Sequence, residues 1–538
     1  MSEPEDQPRR RIYNPQTTRR EVLKGALVVG AGAAFGSAIA ACGGGGGGTS
    51  AAPSASTGGG GPKQGGNLKI GILGGSNNEK VDPQLANLDP ETCYCFQVYD
   101  TLMGWDSDYK LVPGLAAAAE PNADASVWTV KLRSDVVFHD GRPLTADDVV
   151  FSYKRIINPE DPKGGAPGLT FLKPSGIRKI DENTVEFHLD PPNVVFGEAL
   201  AEFRNVIMPT DWNPQKPIGT GPFKVTSFSP GQQWVYAANR DYWGEGPYVD
   251  TLTVVEFADP AARVNAFLGG TVHAITQLPK AQVTTVTGSG NKVLDAKTGA
   301  YYPITMRIDQ KPFDDVRVRQ AFRLIPDRQA IIDLAYNGYG WVGNDGYSPF
   351  DPSYPKFSQR VQDLEQAKSL LKQAGYDGDL TVTLTTSDAI GSGCVAAAQV
   401  YAEQAKGAGV KVNVEKLDGS IFFGEKYCNW TFAQDFWWVH GYLQTAALET
   451  MPGAPYNETH WQHDQWLALI KEASRTVDEP KRNEILGEAQ KIEYDEGGLI
   501  IWAFNDQVDA YSPKLGGVIP DKRGMPLSSL HFNRFYFV

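Results

Sequence analysis

The chain is poor in the residues from which metal and redox sites are built, with five cysteines and seven histidines among 538 residues. These residues do not repeat at the spacing that structural zinc sites use. The chain also lacks G-x-S-x-G, H-E-x-x-H, a Walker loop and a G-x-G-x-x-G after a predicted strand. We therefore predict that the protein is not an enzyme, requires no cofactor and has no metal site.

Positive charge is also scarce, because 50 Lys and Arg residues face 63 Asp and Glu residues and leave a formal net charge of −13. An acidic chain of this kind argues against nucleic acid as a partner. Hydrophobic residues make up 41% of the sequence, which suits a well-cored globular protein. The length implies more than one domain.

The longest apolar stretch, residues 25–41, lies at the short limit for a membrane span and consists largely of Gly and Ala. Arg19 and Arg20 precede it, in the pattern of a twin-arginine export signal. It ends in I-A-A-C, which resembles the lipobox of bacterial lipoproteins. We predict that residues 1–41 are a signal peptide rather than a transmembrane helix, and that Cys42 is lipidated. The mature protein is then anchored at the extracytoplasmic face of the cell membrane, in the periplasmic space or at the cell surface.

Low complexity continues after Cys42, because residues 42–65 include six consecutive glycines with Ser, Ala and Pro around them. Such a segment cannot bury a core, so we predict a flexible tether and a folded body that begins near Asn67. Among the other cysteines, a bridge between Cys93 and Cys95 would be strained. Cys394 and Cys428 form a plausible disulfide in an oxidising compartment.

The folded body reads as α/β. Thr145, with Asp148 three residues later, predicts a helix start, and Asp363 and Asp478 precede two further helical patterns. Helices are predicted over 364–374, 395–406 and 480–494, and strands over 127–132, 184–189, 380–384, 410–414 and 499–504. The run from 380 to 414 should form a right-handed β-α-β unit with parallel strands.

Four blocks in fixed order resemble the bacterial extracellular solute-binding proteins of family 5, the oligopeptide-, dipeptide- and nickel-binding receptors of ABC importers. They are V-Y-D-T-L-M at 98–103, L-R-S-D-V-V-F-H-D-G-R-P-L-T-A-D-D-V-V-F-S at 132–152, I-G-T-G-P-F at 218–223 and D-D-V-R-V-R-Q-A-F-R-L-I-P-D-R at 314–328. The resemblance implies a two-lobed, periplasmic-binding-protein-like fold of three domains with a ligand cleft between the lobes. It divides the body into domain I (66–108, 218–299 and 507–538), domain II (109–217) and domain III (300–506).

The resemblance implies a function in ABC transport: a lipoprotein receptor that captures a small peptide or related organic solute by lobe closure. It would deliver the solute to membrane permease and ATPase subunits, and we expect it to act as a monomer. Two alternatives stay open, a receptor for a metal or metal chelate and an extracellular peptide sensor without transport. His460 and His463, with His440, are the histidines that a metal receptor would use.

The family layout also suggests ligand-binding residues. The stretch 434–442 resembles the cleft wall of the second lobe, and if it is a strand, its two tryptophans point to opposite faces. Peptide binders of the family often carry an Asp a few residues after the Trp, where this chain has His440, Gly441 and Tyr442; Glu449 or an acid in another lobe would have to replace it. The candidate contacts are Asn78, Tyr94, Phe96, Trp437, Trp438, His440, Tyr442, Asn457, Trp502 and Asn505.

Overall fold

The computed structural model describes residues 62–538, so the predictions for Arg19, Arg20 and Cys42 lie outside the described part of the chain. Within it, three β-sheets each carry their own apolar packing, and we call the resulting bodies units A, B and C. Over residues 62–538, no helix is long and apolar enough to cross a membrane.

Unit A is built on an eight-stranded sheet. Its strands, in spatial order, are Lys292–Tyr301, Ala503–Tyr511, Ala274–Ile275, Asn67–Leu73, Thr251–Phe257, Gln233–Ala238 and Phe223–Ser229, and Gly340–Val342 pairs with Ala503–Tyr511. Asn67–Leu73 runs parallel to Thr251–Phe257 and buries Leu68, Ile70 and Ile72 in the core, as its alternating sequence predicts. The residues around 93–99 and 515–535 pack on the same core.

Unit B contains a four-stranded antiparallel sheet of Ala116–Pro121, Val127–Leu132, Thr184–Leu189 and Leu172–Asp181. Its apolar core lies between residues 102 and 207. The two strands predicted here have the observed bounds. Thr145 also starts the expected helix, Ala146–Ile156, through a capping box with Asp148.

Unit C contains a five-stranded sheet of Lys411–Lys416, Thr381–Thr386, Phe432–Gln434, Ile304–Met306 and Leu499–Ile500. Thr381–Thr386 and Lys411–Lys416 run parallel, and the helix Cys394–Ala405 connects them, so the predicted β-α-β unit is confirmed. Asp363 caps Leu364–Gln373 through the N–H of Gln366, and Asp478 caps Glu479–Glu496 through that of Lys481.

Helices and short hairpins complete the three units. The other helical segments are Asp89–Val98, Phe196–Ala199, Pro260–Leu268, Val283–Gly288, Val316–Leu324, Arg328–Tyr336, Gly419–Phe422, Tyr442–Thr445, Asp464–Ala473 and Pro526–Ser529. Two-stranded hairpins pair Met103–Trp105 with Leu111–Pro113, and Leu515–Gly516 with Tyr536–Phe537. How these units divide into the three domains predicted from the family stays a prediction.

The single strand predicted over 499–504 is wrong, because the structure has two strands, Leu499–Ile500 in unit C and Ala503–Tyr511 in unit A. Between these two strands, the backbone groups form hydrogen bonds with side chains of a buried ionic network instead of with a neighbouring strand. Arg328 Nη1 donates to the carbonyl of Ile501 over 2.6 Å, and the N–H of Ile501 donates to Asp345 Oδ1 over 3.0 Å. These bonds replace the ladder that would have continued the strand.

The disulfide predicted between Cys394 and Cys428 is also wrong, because both thiols are free. Cys394 starts a helix and is fully buried in an apolar cluster with Ile390, Phe422 and Phe423. Cys428 lies half-buried in a loop and has a left-handed backbone conformation, with φ of 61°. Burial raises the pKa of both thiols far above the usual range, so neither is a reactive thiolate.

Candidate ligand-binding site

The three units meet at residues 437–442, which we call the seam segment. Its first residue, Trp437, follows the unit C strand Phe432–Gln434 and forms a backbone pair with Tyr301, the last residue of the unit A strand Lys292–Tyr301, at 2.9 and 3.1 Å. From unit B, the Tyr109 hydroxyl donates to the carbonyl of Val439 over 3.3 Å. From unit A, Gly524 comes so close that a Cβ there would lie 3.4 Å from Val439. The seam segment therefore has the position expected of a wall between lobes.

The two tryptophans of the segment face opposite ways, as strand-like alternation predicts. Trp437 is 7% exposed and packs edge-on against Tyr456 in unit C. Trp438 is 61% exposed and touches Phe436 edge-on. An exposed indole beside a junction of units is a large, rigid surface for an organic ligand. Trp438 is therefore the better candidate of the two, and its contact with a ligand stays a prediction.

His440 is a neutral polar group at the junction. Its Nδ1 is buried and has no hydrogen-bond partner among the described residues. The pKa of His440 is lowered to about 4, chiefly by burial; nearby Glu202 opposes this shift and Arg204 adds to it. The imidazole is thus uncharged at neutral pH and keeps one nitrogen available for a ligand.

Aromatic side chains from units A and B also pack together at this junction. The ring of Phe96 stacks on Phe203 at 6.2 Å and meets His531 edge-on at 5.5 Å. The guanidinium of Arg523 lies 5.9 Å from the Phe96 ring centre. Burial lowers the pKa of His531 well below its usual value, and Arg523 adds to that effect. Phe96 is only half-buried, and its role as a ligand contact stays a prediction.

Three candidates are enclosed in cores, and the structure contradicts their prediction as ligand contacts. Tyr94 is fully buried in unit A, where its hydroxyl pairs with that of Tyr99. Trp502 is 1% exposed in the core of unit C. Tyr442 stacks on Tyr347, and its hydroxyl donates to Glu493. Their aromatic rings serve packing, which sequence alone does not separate from ligand contact.

The three asparagine candidates have different surroundings. Asn78 is exposed in a turn after the strand Asn67–Leu73. Asn457 holds its own loop, since its Oδ1 accepts the N–H of Trp461 over 3.0 Å. Asn505 accepts from Lys280 Nζ over 2.5 Å, and the same ammonium donates to the carbonyl of Tyr339 over 2.8 Å. The Asn505 amide oxygen is therefore already engaged by Lys280, and ligand contact by any of the three asparagines stays a prediction.

Glu449 cannot supply the acid that the seam segment lacks. It is fully buried, and Tyr301 donates a hydrogen bond to it over 2.9 Å. Asp435 and Glu458 are also buried, and beyond burial itself the charges of Asp435 and Glu449 add to the upward shift in the pKa of Glu458. Burial raises the pKa of Asp435 to about 6 and those of the two glutamates well above their usual range. These carboxyl groups are enclosed inside unit C and are not exposed to a ligand.

The histidines that a metal receptor would use do not converge. His460 Nε2 lies 3.1 Å from the carbonyl of Cys428, and its Nδ1 lies 3.2 Å from Asp309. His463 accepts the N–H of Trp466 over 3.2 Å as the cap of a helix. Within residues 62–538, no group of three or more His, Cys, Asp or Glu side chains could hold a metal ion.

Sequence reasoning missed the unit B side of the junction. Glu198 lies against Gly441 of the seam segment, and Glu202 and Arg204 lie near His440. These residues belong to the end of the helix Phe196–Ala199 and the loop after it, as does Phe203, which stacks on Phe96. Glu202 and Arg204 form an ion pair at 2.8 Å. No local pattern marks these residues, because their role depends on a contact with residues about 240 positions away in the chain.

Comparison with known proteins identifies the family of this chain. The profile of the bacterial extracellular solute-binding proteins, family 5, matches residues 110–449, more than half of the chain. The chain is 28% identical to a dipeptide-binding protein of Escherichia coli over 79% of its length and 85% of that protein. It is 26% identical to a di/tripeptide-binding protein 2 of Pseudomonas aeruginosa, over 79% and 86%.

A solved relative has the same fold. The ABC transporter-associated periplasmic binding protein DppA from Helicobacter pylori, in complex with the peptide STSA, superposes with a TM-score of 0.72 at 22% identity. The match covers 88% of this chain and 98% of that chain. The predicted two-lobed α/β fold class is thereby confirmed. The chain belongs to family 5 of the bacterial extracellular solute-binding proteins and is a substrate-binding protein of the ABC importer type.

Proposed function

We propose that the protein is a lipid-anchored receptor that captures small peptides at the junction of units A, B and C and delivers them to an ABC permease. The observation that carries the proposal is the seam segment, which faces both other units and exposes the Trp438 indole. Relatives named as dipeptide- and di/tripeptide-binding proteins support peptides as the ligand class. Binding energy then comes from desolvated aromatic contacts and from hydrogen bonds to the peptide backbone.

Replacing Trp438 by Ala should weaken peptide binding by about 1–3 kcal/mol, which is typical of an aromatic anchor. Because the indole is 61% exposed, the variant should unfold at the same denaturant concentration as the parent. Isothermal titration with a peptide that the parent binds measures the effect. Ile180→Ala is the control, since Ile180 is 54% exposed on the sheet of unit B. Equal affinity of the Trp438→Ala and control proteins would remove the seam segment from the site.

Replacing Cys42 by Ser should release the protein from membranes, because serine cannot be acylated as the lipobox cysteine is. Fractionation of cells into membrane and soluble parts measures the change. Cys428→Ser makes the same chemical change at a cysteine of the folded body and should leave the protein in the membrane fraction. If the Cys42→Ser protein stayed in the membrane fraction and left it only when detergent was added, the result would contradict the lipid anchor.

A further inference from the structure

Glu198 is a carboxylate without an ionic partner at the contact between units B and C. It belongs to the helix Phe196–Ala199 and lies directly against the backbone of Gly441. A Cβ at position 441 would be 2.7 and 2.8 Å from its two oxygens. Oε2 is sealed from solvent and has no hydrogen-bond partner in the described part of the chain. A carboxylate oxygen in that state is costly unless a donor arrives.

The charged groups around Glu198 are already engaged elsewhere. Asp351 accepts the N–H of Tyr442 over 2.8 Å and is a second negative charge beside Glu198. Arg482 faces Glu198 from the helix Glu479–Glu496, but its Nη1 donates to the carbonyls of Thr476 and Val477. The remaining neighbours are Tyr109, which donates to Val439, and two pairs, Arg204 with Glu202 and Arg523 with Asp521.

The balance at this contact is therefore negative, with Glu198 and Asp351 opposed by Arg482 alone. Burial raises the pKa of Glu198 to about 8, Asp351 adds to the increase, and Arg482 and the Gly441 N–H oppose it. The unliganded junction thus favours the protonated carboxyl at neutral pH. A cation placed beside Oε2 would reverse that preference and satisfy the free oxygen.

We infer that Glu198 is the counter-ion for a cationic group of the ligand, an ammonium or a guanidinium, and so determines which solutes the receptor takes. This inference rests on the proposed function. It places the acid on unit B, opposite the seam segment, where residues 440–442 offer no carboxylate of their own. His440, the residue before Gly441, also has a buried Nδ1 without a partner among the described residues, and this nitrogen can accept a hydrogen bond.

Proton linkage provides a signature that a structural role would not produce. When a cation ionises Glu198, a proton leaves, so affinity should rise about tenfold per pH unit as the pH rises toward 8. The heat of binding should then depend on the ionisation enthalpy of the buffer. In Glu198→Gln the carboxamide cannot ionise, and both effects should disappear.

The test measures binding to the full-length protein in detergent with three probes: trialanine, N-acetyltrialanine and the non-peptide cation agmatine. Variants are Glu198→Gln and the control Glu365→Gln, whose side chain is 85% exposed. We expect a probe with a free cationic group to bind the parent and to lose at least about 30-fold in affinity with Glu198→Gln. Glu365→Gln should behave like the parent, and thermal unfolding establishes that each variant is folded.

The outcomes separate this inference from the proposed function. If trialanine and N-acetyltrialanine bind equally and Glu198→Gln binds both as the parent does, the receptor function stands and the inference is overturned. If agmatine binds through Glu198 and neither peptide binds, the counter-ion role stands and peptide capture fails. If trialanine binds with a buffer-dependent heat that Glu198→Gln abolishes, both are supported.

Discussion

The Asp345→Asn protein should unfold with a free energy about 3–5 kcal/mol below that of the parent, because the substitution leaves buried arginines without their counter-charge. The Asp345 side chain is fully buried. Its Oδ2 accepts from Arg328 Nη2 over 2.8 Å and from Arg360, and Arg323 lies nearby in the same network. Burial by itself would raise the pKa of Asp345, but the three arginines outweigh it and hold that pKa below its usual value.

This substitution isolates the charge. Asp345 has φ of 58°, a left-handed conformation that Asn adopts as readily as Asp, so the backbone need not change. Asp309→Asn breaks the pair with Arg307, whose acid is 42% exposed, and should cost less than about 1 kcal/mol. Urea unfolding followed by circular dichroism measures both. A loss for Asp345→Asn no larger than that of the control would contradict the role of the network.

The pH dependence has a definite sign. Because the pKa of Asp345 is lower in the folded protein than in the unfolded chain, its contribution to stability is present above the unfolded value, about 3.9. That contribution should be lost as the pH falls through the folded pKa. The parent and Asp345→Asn proteins should therefore approach each other in stability below about pH 4.

Gly441→Leu should weaken ligand binding at least tenfold, since the added side chain occupies the space that Glu198 fills when units B and C meet. Gly441 has φ of −65° and ψ of 160°, which any L-residue adopts, so the substitution does not strain the backbone itself. The expected consequence is a receptor that stays folded but does not close. Small-angle scattering should show that a peptide that compacts the parent leaves the radius of gyration of the variant unchanged.

The control for this prediction is Gly487→Leu. Gly487 lies in the helix Glu479–Glu496, and a Cβ there meets no atom within 4 Å. This variant should bind and compact like the parent. Parent-like binding and compaction by Gly441→Leu would show that the contact between Glu198 and the seam segment is not part of closure.

Local patterns in the sequence predicted the elements that depend on local physics. The strands Val127–Leu132 and Thr184–Leu189 follow from alternation, and the starts of three helices follow from the capping of Thr145, Asp363 and Asp478. The break at Ile501 could not be predicted this way, because Arg328 and Asp345 reach it from more than 150 residues away. The two-lobed fold class followed from the resemblance of four sequence blocks to the family, because the periodicity of the sequence predicted only a mixed α/β protein.

The ligand-binding residues were harder to predict, because the burial of each side chain determines whether it is available to a ligand. Trp437 and Trp438 are adjacent and identical in type, yet one is packed in unit C and the other is exposed. Tyr94, Tyr442 and Trp502 have the chemistry of ligand contacts and are used for packing instead. Glu198 carries no sequence signal, and its role emerges from the approach of Gly441.

The most direct test of the account is to identify what the receptor holds in its natural host. The full-length protein, extracted from host cells in detergent, would be measured intact by native mass spectrometry and then denatured to release bound molecules. We predict a mixture of short peptides, each bound one to one. Release of a single non-peptide molecule or a metal ion, with no peptide in any preparation, would contradict peptide capture.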